Sequence, residues 1–482
     1  MTRPFLSASL AALLIAACRV PPPPPPPQAY APPANSPQDA YKELNGWRPS
    51  QPSDGVARGP WWQIFGDPEL NALEAQVNLS NQDLKAAEAR FRAARAVVGF
   101  TRSAEFPTIG TAPSISYLQQ SDNAPGNSKA NNSGIDYVLP FDLSYEIDVW
   151  GRVRRTLQLS REQAQATAAD LESVRLSLHA ELAYDYFQVR AADAQKHLLD
   201  QTVESYRQVL ELTTNRFNEG AAPKSDVTQA RTQWQSAAVA ASDIAVARAQ
   251  YEHAIAVLIG RPPAALAVPF AVKAFVPPAV PAGLPSQLLE RRPDIAAAER
   301  RVAAANEQIG LARLAYFPTL SLSGLAGYEG RSFGSWFNLP SRFWAVGPAL
   351  TETLFDAGRR RANLLGALAG YDESTAIYRQ TVLQAFSQVE DNLAILHILQ
   401  SEAQQQSDAT ASARESLDLI MNRYHEGAGS YMQVLIAETV ALSNESNQID
   451  IDRRRIDATV LLIKALGGGW TTAQLPAFSD LH

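Results

Sequence analysis

Asn215-Arg216-Phe217-Asn218-Glu219-Gly220 and Asn422-Arg423-Tyr424-His425-Glu426-Gly427 spell one phrase twice, N-R-[FY]-x-E-G, 207 positions apart. Each copy closes a very long stretch without proline and opens another. A glycine after a helix-length run supplies the left-handed residue that stops a helix, and the few residues beyond it let the chain turn back. Both phrases read as tips of antiparallel helical hairpins.

Upstream of the first tip, Arg152 to Glu219 is a run of 68 residues without glycine or proline. As one helix it spans roughly 100 Å at 1.5 Å per residue. The return stretch, Lys224 to Ile259, has 36 residues and covers only half of that length. The helical stretch Glu69 to Glu105, with 37 residues, has the length to cover the other half. One long helix flanked by two shorter ones stacked end to end is therefore expected. On the return helix Val227, Ala230, Trp234, Ala237, Ala241, Ile244, Arg248, Tyr251, Ile255 and Leu258 form a heptad seam with one charged exception. Leu199, Val203, Tyr206, Leu210 and Phe217 repeat the spacing on the long helix.

Phe106-Pro107-Thr108 breaks the first helix, and beyond it the period changes to two. Ile109, Thr111, Ile115 and Tyr117 share one parity, with Thr108, Gly110, Ser114 and Ser116 on the other. After a polar loop, Gln119 to Gly134, the alternation sharpens. Ile135, Tyr137, Leu139, Phe141, Leu143, Tyr145 and Ile147 take one face, and Asp136, Asp142, Ser144, Glu146 and Asp148 the other. A sheet on a soluble core would also alternate. The length suits the about 9 to 11 residues of a tilted membrane strand, however, and the acids Asp136, Asp142 and Glu146 point away from the apolar face as in a wet lumen. Four such strands cannot close a barrel, whose lower limit is about eight, so several chains must share one.

The pattern then recurs. Asp83, Leu84, Ala87, Glu88 and Arg90 match Asp294, Ile295, Ala298, Glu299 and Arg301 at a shift of 211, as Phe106-Pro107-Thr108 matches Phe317-Pro318-Thr319. Past the strands the shift is 207, aligning Gly151-Arg152 with Gly358-Arg359. The chain is an internal duplication of helix, strand, strand, long helix and helix. In the second half Gly366 and Gly370 are expected to interrupt the start of the long helix, Tyr371 to Glu426 is continuous, and Ser430 to Leu466 returns. Its second strand is read over Phe343 to Phe355, with Trp344, Val346 and Leu350 on the apolar face and Glu352, of the same parity, near a membrane boundary. Between the halves, residues 261–293 carry eight prolines and form a connector, with a short strand near Val268 to Phe275.

The N-terminal residues read as a targeting signal. Arg3 precedes an apolar run of 13 residues, Phe5 to Ala17, too short to span a bilayer. It ends at Ile15-Ala16-Ala17-Cys18, which resembles the bacterial lipoprotein signal whose cysteine is acylated; leucine is preferred where Ile15 stands. An ordinary secretory signal with an incidental cysteine is the other reading. Cys18 is the only cysteine, so no intrachain disulfide can form. Pro21 to Pro27 make an extended spacer of about 3 Å per residue. By similarity to lipoproteins, Arg19 in place of an aspartate leaves export to the outer membrane open. The expected organisation is signal peptide 1–17, anchor and spacer 18–60, first repeat 61–260, connector 261–293, second repeat 294–470 and tail 471–482.

The net charge of −7 gives no basic face for nucleic acid. The six histidines lie far apart, no H-E-x-x-H or G-x-S-x-G is present, and Gly467 to Gly469 lacks the lysine of a phosphate loop. Neither an enzyme nor a cofactor is expected, and no metal site.

Taken together, W-W-x-x-F-G-D-P-x-L at Trp61 to Leu70, the paired F-P-T, D-V-W-G-R at Asp148 to Arg152 with F-D-x-G-R at Phe355 to Arg359, the twin tips and A-L-G-G-G-W at Ala465 to Trp470 resemble the TolC-like outer-membrane efflux channels, in their lipoprotein (NodT-type, OprM-like) branch. The resemblance implies a mainly α fold with membrane β: a homotrimer in which a 12-stranded outer-membrane β-barrel continues as a long periplasmic α-helical barrel. It implies a passive conduit in a tripartite efflux system, working with a periplasmic adaptor (membrane fusion protein) and an inner-membrane transporter of the RND type. By resemblance the adaptor contacts are Arg216, Gly220, Val227 and Ala230 with Arg423, Gly427, Val434 and Ala437. A cation near a helix C-terminus is also favoured by the helix dipole, so Arg216 and Arg423 keep both readings. Where many members carry D-V-L-D-A, with acids ringing the closed end, this chain has Gln433-Val434-Leu435-Ile436-Ala437. Only Asp226 of the first hairpin keeps an acid, so the constriction formed by Asp226, Gln433 and Ile436 should bind cations less. The alternative is a periplasmic coiled-coil adaptor or scaffold lipoprotein without a pore, from which the strand pairs separate it.

Overall fold

The computed structural model describes residues 60–119, 133–273, 277–278 and 291–481. Residues 1–59, with Cys18 and the proline run, lie outside the described residues. The chain runs α1 (Pro68–Ser80), α2 (Gln82–Arg102), β1 (Thr108–Thr111), β2 (Ser114–Gln119), β3 (Ser133–Glu146), α3 (Arg152–Asn218) and α4 (Lys224–Leu258). After the connector come α5 (Pro293–Leu314), β4 (Thr319–Gly330), β5 (Arg342–Thr351), α6 (Arg359–His425) and α7 (Tyr431–Ala465). The long helices α3 and α6 have 67 residues each, about 100 Å. Their return helices α4 and α7 have 35 each.

The expected helix over Glu69 to Glu105 is two helices, broken at Asn81. Its side-chain oxygen accepts from the Leu84 N–H at 2.9 Å and so caps α2. Its amide donates to the Leu258 carbonyl, a free acceptor in the last turn of α4, at 2.8 Å. The break is thus the joint at which the two short helices meet along α3. Gly260, with φ of 68°, completes it: a Cβ there would lie 2.3 Å from the Ser80 carbonyl oxygen. Leu70, Val77 and Leu84 pack with Tyr186 and Leu182 of α3 and with Ile255 and Leu258 in one apolar cluster across this joint.

The W-W-x-x-F-G-D-P-x-L motif anchors the start of the described chain on the same region. Asp67 caps α1, accepting from Glu69 and Leu70, and also receives the Tyr186 hydroxyl at 2.7 Å and Lys273 at 2.8 Å. Burial alone would raise its pKa, but these donors hold the carboxyl below the usual range. Trp62 stacks on His179 at 4.3 Å, and His179 Nδ1 shares a hydrogen bond with the buried Glu74 at 2.5 Å. Burial raises Glu74 well above its ordinary value and lowers His179 to about 4, which favours the uncharged form of each.

Arg248, the charged exception in the seam, donates to Asp193 at 2.6 Å, to Glu252 at 2.7 Å and to the Val268 carbonyl at 2.7 Å. It ties the connector to α3 and α4. The residues from Val268 to Lys273 form no strand, contrary to expectation, because side chains take up their backbone groups: Glu252 accepts from the Val268 N–H and Asp193 from that of Ala271. Residues 274 and 275, the end of the expected strand, lie outside the described residues.

Gly366 and Gly370 do not interrupt the second long helix; both sit inside α6. A glycine costs a helix about 1 kcal/mol, too little to end one of this length. The last strand stops at Thr351 rather than Phe355, leaving Glu352 just beyond it. The first strand is split at Ala112-Pro113, where proline removes a ladder donor, but its pieces run in line against β3.

Asn81→Ala removes a cap and leaves the Leu258 carbonyl unpaired, with an expected loss of about 1–3 kcal/mol. A thermal melt of the purified protein should show a lower midpoint; an unchanged one would mean that the joint contributes nothing.

Candidate functional site

The sheet is a meander, with β1 and β2 on one side of β3, then β4 and β5. Antiparallel register places directly paired residues on one face. Ile109 pairs with Leu143, Ile115 with Tyr137, Phe141 with Ala326, and Ala326 with Trp344, so the apolar residues form one continuous face. Ile109, Ile115, Tyr117, Trp344, Val346 and Leu350 on it are all more than 60% exposed, a surface that water does not favour. The opposite face carries Asp136 opposite Ser116, Asp142 between Gly110 and Leu325, and Glu146 opposite Ser321. Glu146 is not free on that face: Arg152, at the start of α3, forms a bidentate ion pair with it at the junction of sheet and helix. Neither edge of the sheet, β1–β2 or β5, has a strand partner among the described residues.

At the far end the two tips share one geometry. Gly220 and Gly427 have φ of 75° and 79°. The Ala221 N–H reaches the Arg216 carbonyl and the Gly220 N–H that of Phe217; Ala428 and Gly427 repeat this with Arg423 and Tyr424. This is the Schellman pattern of a helix end. The tips are also bound to each other. Arg216 lies over the Tyr424 ring, 4.6 Å from its centroid, and donates to the Tyr424 carbonyl at 2.9 Å. The Tyr424 hydroxyl shares a hydrogen bond with Thr213 at 3.0 Å. Around this clamp Val209, Ala230, Tyr424, Tyr431 and Val434 form one apolar cluster.

A family model described as outer membrane efflux protein matches residues 74–261 and 284–468, most of the chain. The chain belongs to the outer membrane efflux protein family. It is 32% identical over 476 residues to the probable efflux pump outer membrane protein TtgC of Pseudomonas putida, covering 98% of this chain and 96% of that one. It is 32% identical to the pyoverdine export outer membrane protein OpmQ of Pseudomonas aeruginosa, covering 87% of this chain and 89% of that one. The solved outer-membrane channel OprN superposes with a TM-score of 0.85 at 31% identity, covering 94% of this chain and all of OprN. The protein is therefore an outer-membrane channel component of an efflux system, with the TolC-like fold.

Within this efflux channel the expected tip residues divide. Gly220, Arg423 and Gly427 are exposed at the ends of the hairpins. Val227, Ala230, Val434 and Ala437 are at most 8% exposed, packed within and between the hairpins. Lying in the seam, they help to hold the tip together. Arg216 is half-buried and committed to the second hairpin, capping a helix end that is not its own. Of the residues expected at a constriction, Ile436 is 57% exposed, Gln433 closes a capping box with Ser430, and Asp226 sits in the first turn of α4, where the dipole favours an acid. Reading from sequence missed the contacts of Tyr424 and Thr213, and missed Glu438, a buried carboxylate of α7. The last of these carried a signal, a carboxylate directly following a seam alanine.

Arg216→Ala should loosen the tips, seen as faster hydrogen exchange in residues 209–218 and 420–434. Arg216→Lys should restore little, since an ammonium cannot both stack on the ring and keep the directed hydrogen bond. Exchange unchanged in both variants would show that the apolar cluster alone holds the tips.

Proposed function

We propose that three copies of this chain close one twelve-stranded barrel in the outer membrane and continue it as a twelve-helix tunnel across the periplasm. The conduit is passive and receives small molecules from an inner-membrane pump of the RND type through a periplasmic adaptor. The observation that carries this reading is the sheet: apolar on one face, acidic on the other, too narrow to close alone and open at both edges. Large apolar side chains left exposed along α6, among them Leu365, Ile377, Ile398 and Leu419, support lateral packing against further copies. In that arrangement Asp136 and Asp142 line the lumen, and the exposed ends of the hairpins, with Arg423, Gly220 and Gly427, meet the adaptor. Lipidation at Cys18, after the signal 1–17, would add an anchor in the outer membrane beside the barrel. The division into two repeats, 61–260 and 294–470, with the connector between them belongs to the same reading.

Purified from outer-membrane fractions, the protein should run as a heat-sensitive trimer and conduct ions in planar bilayers; a non-conducting monomer would defeat the proposal. Divalent block from the periplasmic side should be weak and weaker still in Asp226→Asn, because Gln433 and Ile436 replace acids. Strong block that survives this substitution would contradict the assignment of the constriction. Palmitate labelling that is lost in Cys18→Ser is the expected sign of the anchor.

A further inference from the structure

Polar pairs punctuate the seam between α3 and α7. Gln195 donates to Ser446 at 3.0 Å. Deeper still, Gln188 at 2.9 Å and Arg453 at 2.8 Å both donate to the Asp457 carboxylate. Glu438 breaks this pattern. It is 4% exposed, and neither of its carboxylate oxygens has a hydrogen-bond partner.

The groups around it offer no compensation. Tyr206 of α3 and Tyr431 of α7 are both buried and feel its charge, and Tyr431 in turn feels Tyr424 of α6 and Asp226 of α4. All four are neutral or acidic. Arg216, the cation that reaches into the tip, is held by the Tyr424 carbonyl and ring. The Tyr206 hydroxyl accepts from Gln233 at 3.4 Å. A buried carboxylate without a cation or donor must either hold its proton or gain access to water, which here requires the seam to part.

We propose that Glu438 is a proton sensor of the hairpin seam: protonated it lets the two hairpins pack, and ionised it drives the seam open at the tip. Burial raises this carboxyl to about 7, against 4.5 when solvated. The packed seam therefore holds the proton to higher pH than the open one. Its advantage is complete below the solvated value, declines as pH rises, and is lost above about 7. Movement of the seam does not depend on the tips being a gate; an effect on conduction does, and there the inference rests on the proposed channel.

The test is hydrogen–deuterium exchange of the full-length protein in detergent from pH 5 to 8, corrected for intrinsic rates, with α5 as reference. In wild type, protection of residues 203–213 and 431–442 should fall by roughly 50-fold between pH 5 and 7.5. In Glu438→Gln it should stay flat. Glu438→Met, of similar length and without charge, is expected to behave alike if the amide impairs assembly. A wild type without pH response, or variants that respond as wild type does, would overturn the sensor. Bilayer conductance that rises with pH in step with exchange would extend the sensor to gating. Exchange that responds while conductance does not would leave the sensor standing and remove the tips as the closed end.

Discussion

A helix of 67 residues has more flank than one return helix of 35 can cover. Leaving half of α3 bare would expose its apolar stripe along about 50 Å. A second helix must continue where α4 stops, and the meeting point creates its own problem: the free carbonyls of one helix end face the free amides of another helix start. Asn81 answers both with one side chain, its oxygen toward Leu84 and its amide toward Leu258. The rest of the body is arranged around that joint. The apolar cluster spans it, the entry motif docks on α3 beside it, and the hairpin begins on one side while the sheet lies on the other.

Charge is handled differently at the middle of the molecule and at the tip. Asp193 is fully buried but accepts from Arg190, Arg248 and the Ala271 amide, so its charge is met on several sides and fixes the connector in place. Breaking such a network leaves an uncompensated buried charge, which is costly. Glu438 has none of these partners. A fold able to enclose one acid so completely leaves another unmet in the seam of its two hairpins.

Much of this was legible in the residues. The twin glycines announced the helix ends because only a left-handed residue makes that turn without strain, and the strands declared their faces because a period of two admits no other arrangement. The break at Asn81 was hidden, since asparagine within Leu79-Ser80-Asn81-Gln82 carries no glycine or proline to mark it. The clamp was hidden for another reason: Arg216 and Tyr424 are brought together by packing of the duplicated hairpins, a contact that neither local spacing nor composition encodes. Resemblance transfers Val227, Ala230, Val434 and Ala437 as positions on a hairpin without separating its seam from its surface, and the structure places all four in the seam. The heptad phase, already visible in Val227 and Ala230, held that distinction.

The duplication also leaves the two shafts mechanically unequal. Gly366 and Gly370 of α6 have no neighbouring atoms near their missing side chains, whereas α3 carries Leu159 and Gln163 at the equivalent places. With their greater backbone freedom, the two glycines make that third of α6 easier to bend. A load applied at the tips is therefore borne by one stiff rod and one compliant one. Bending of the second shaft is therefore concentrated close to the sheet.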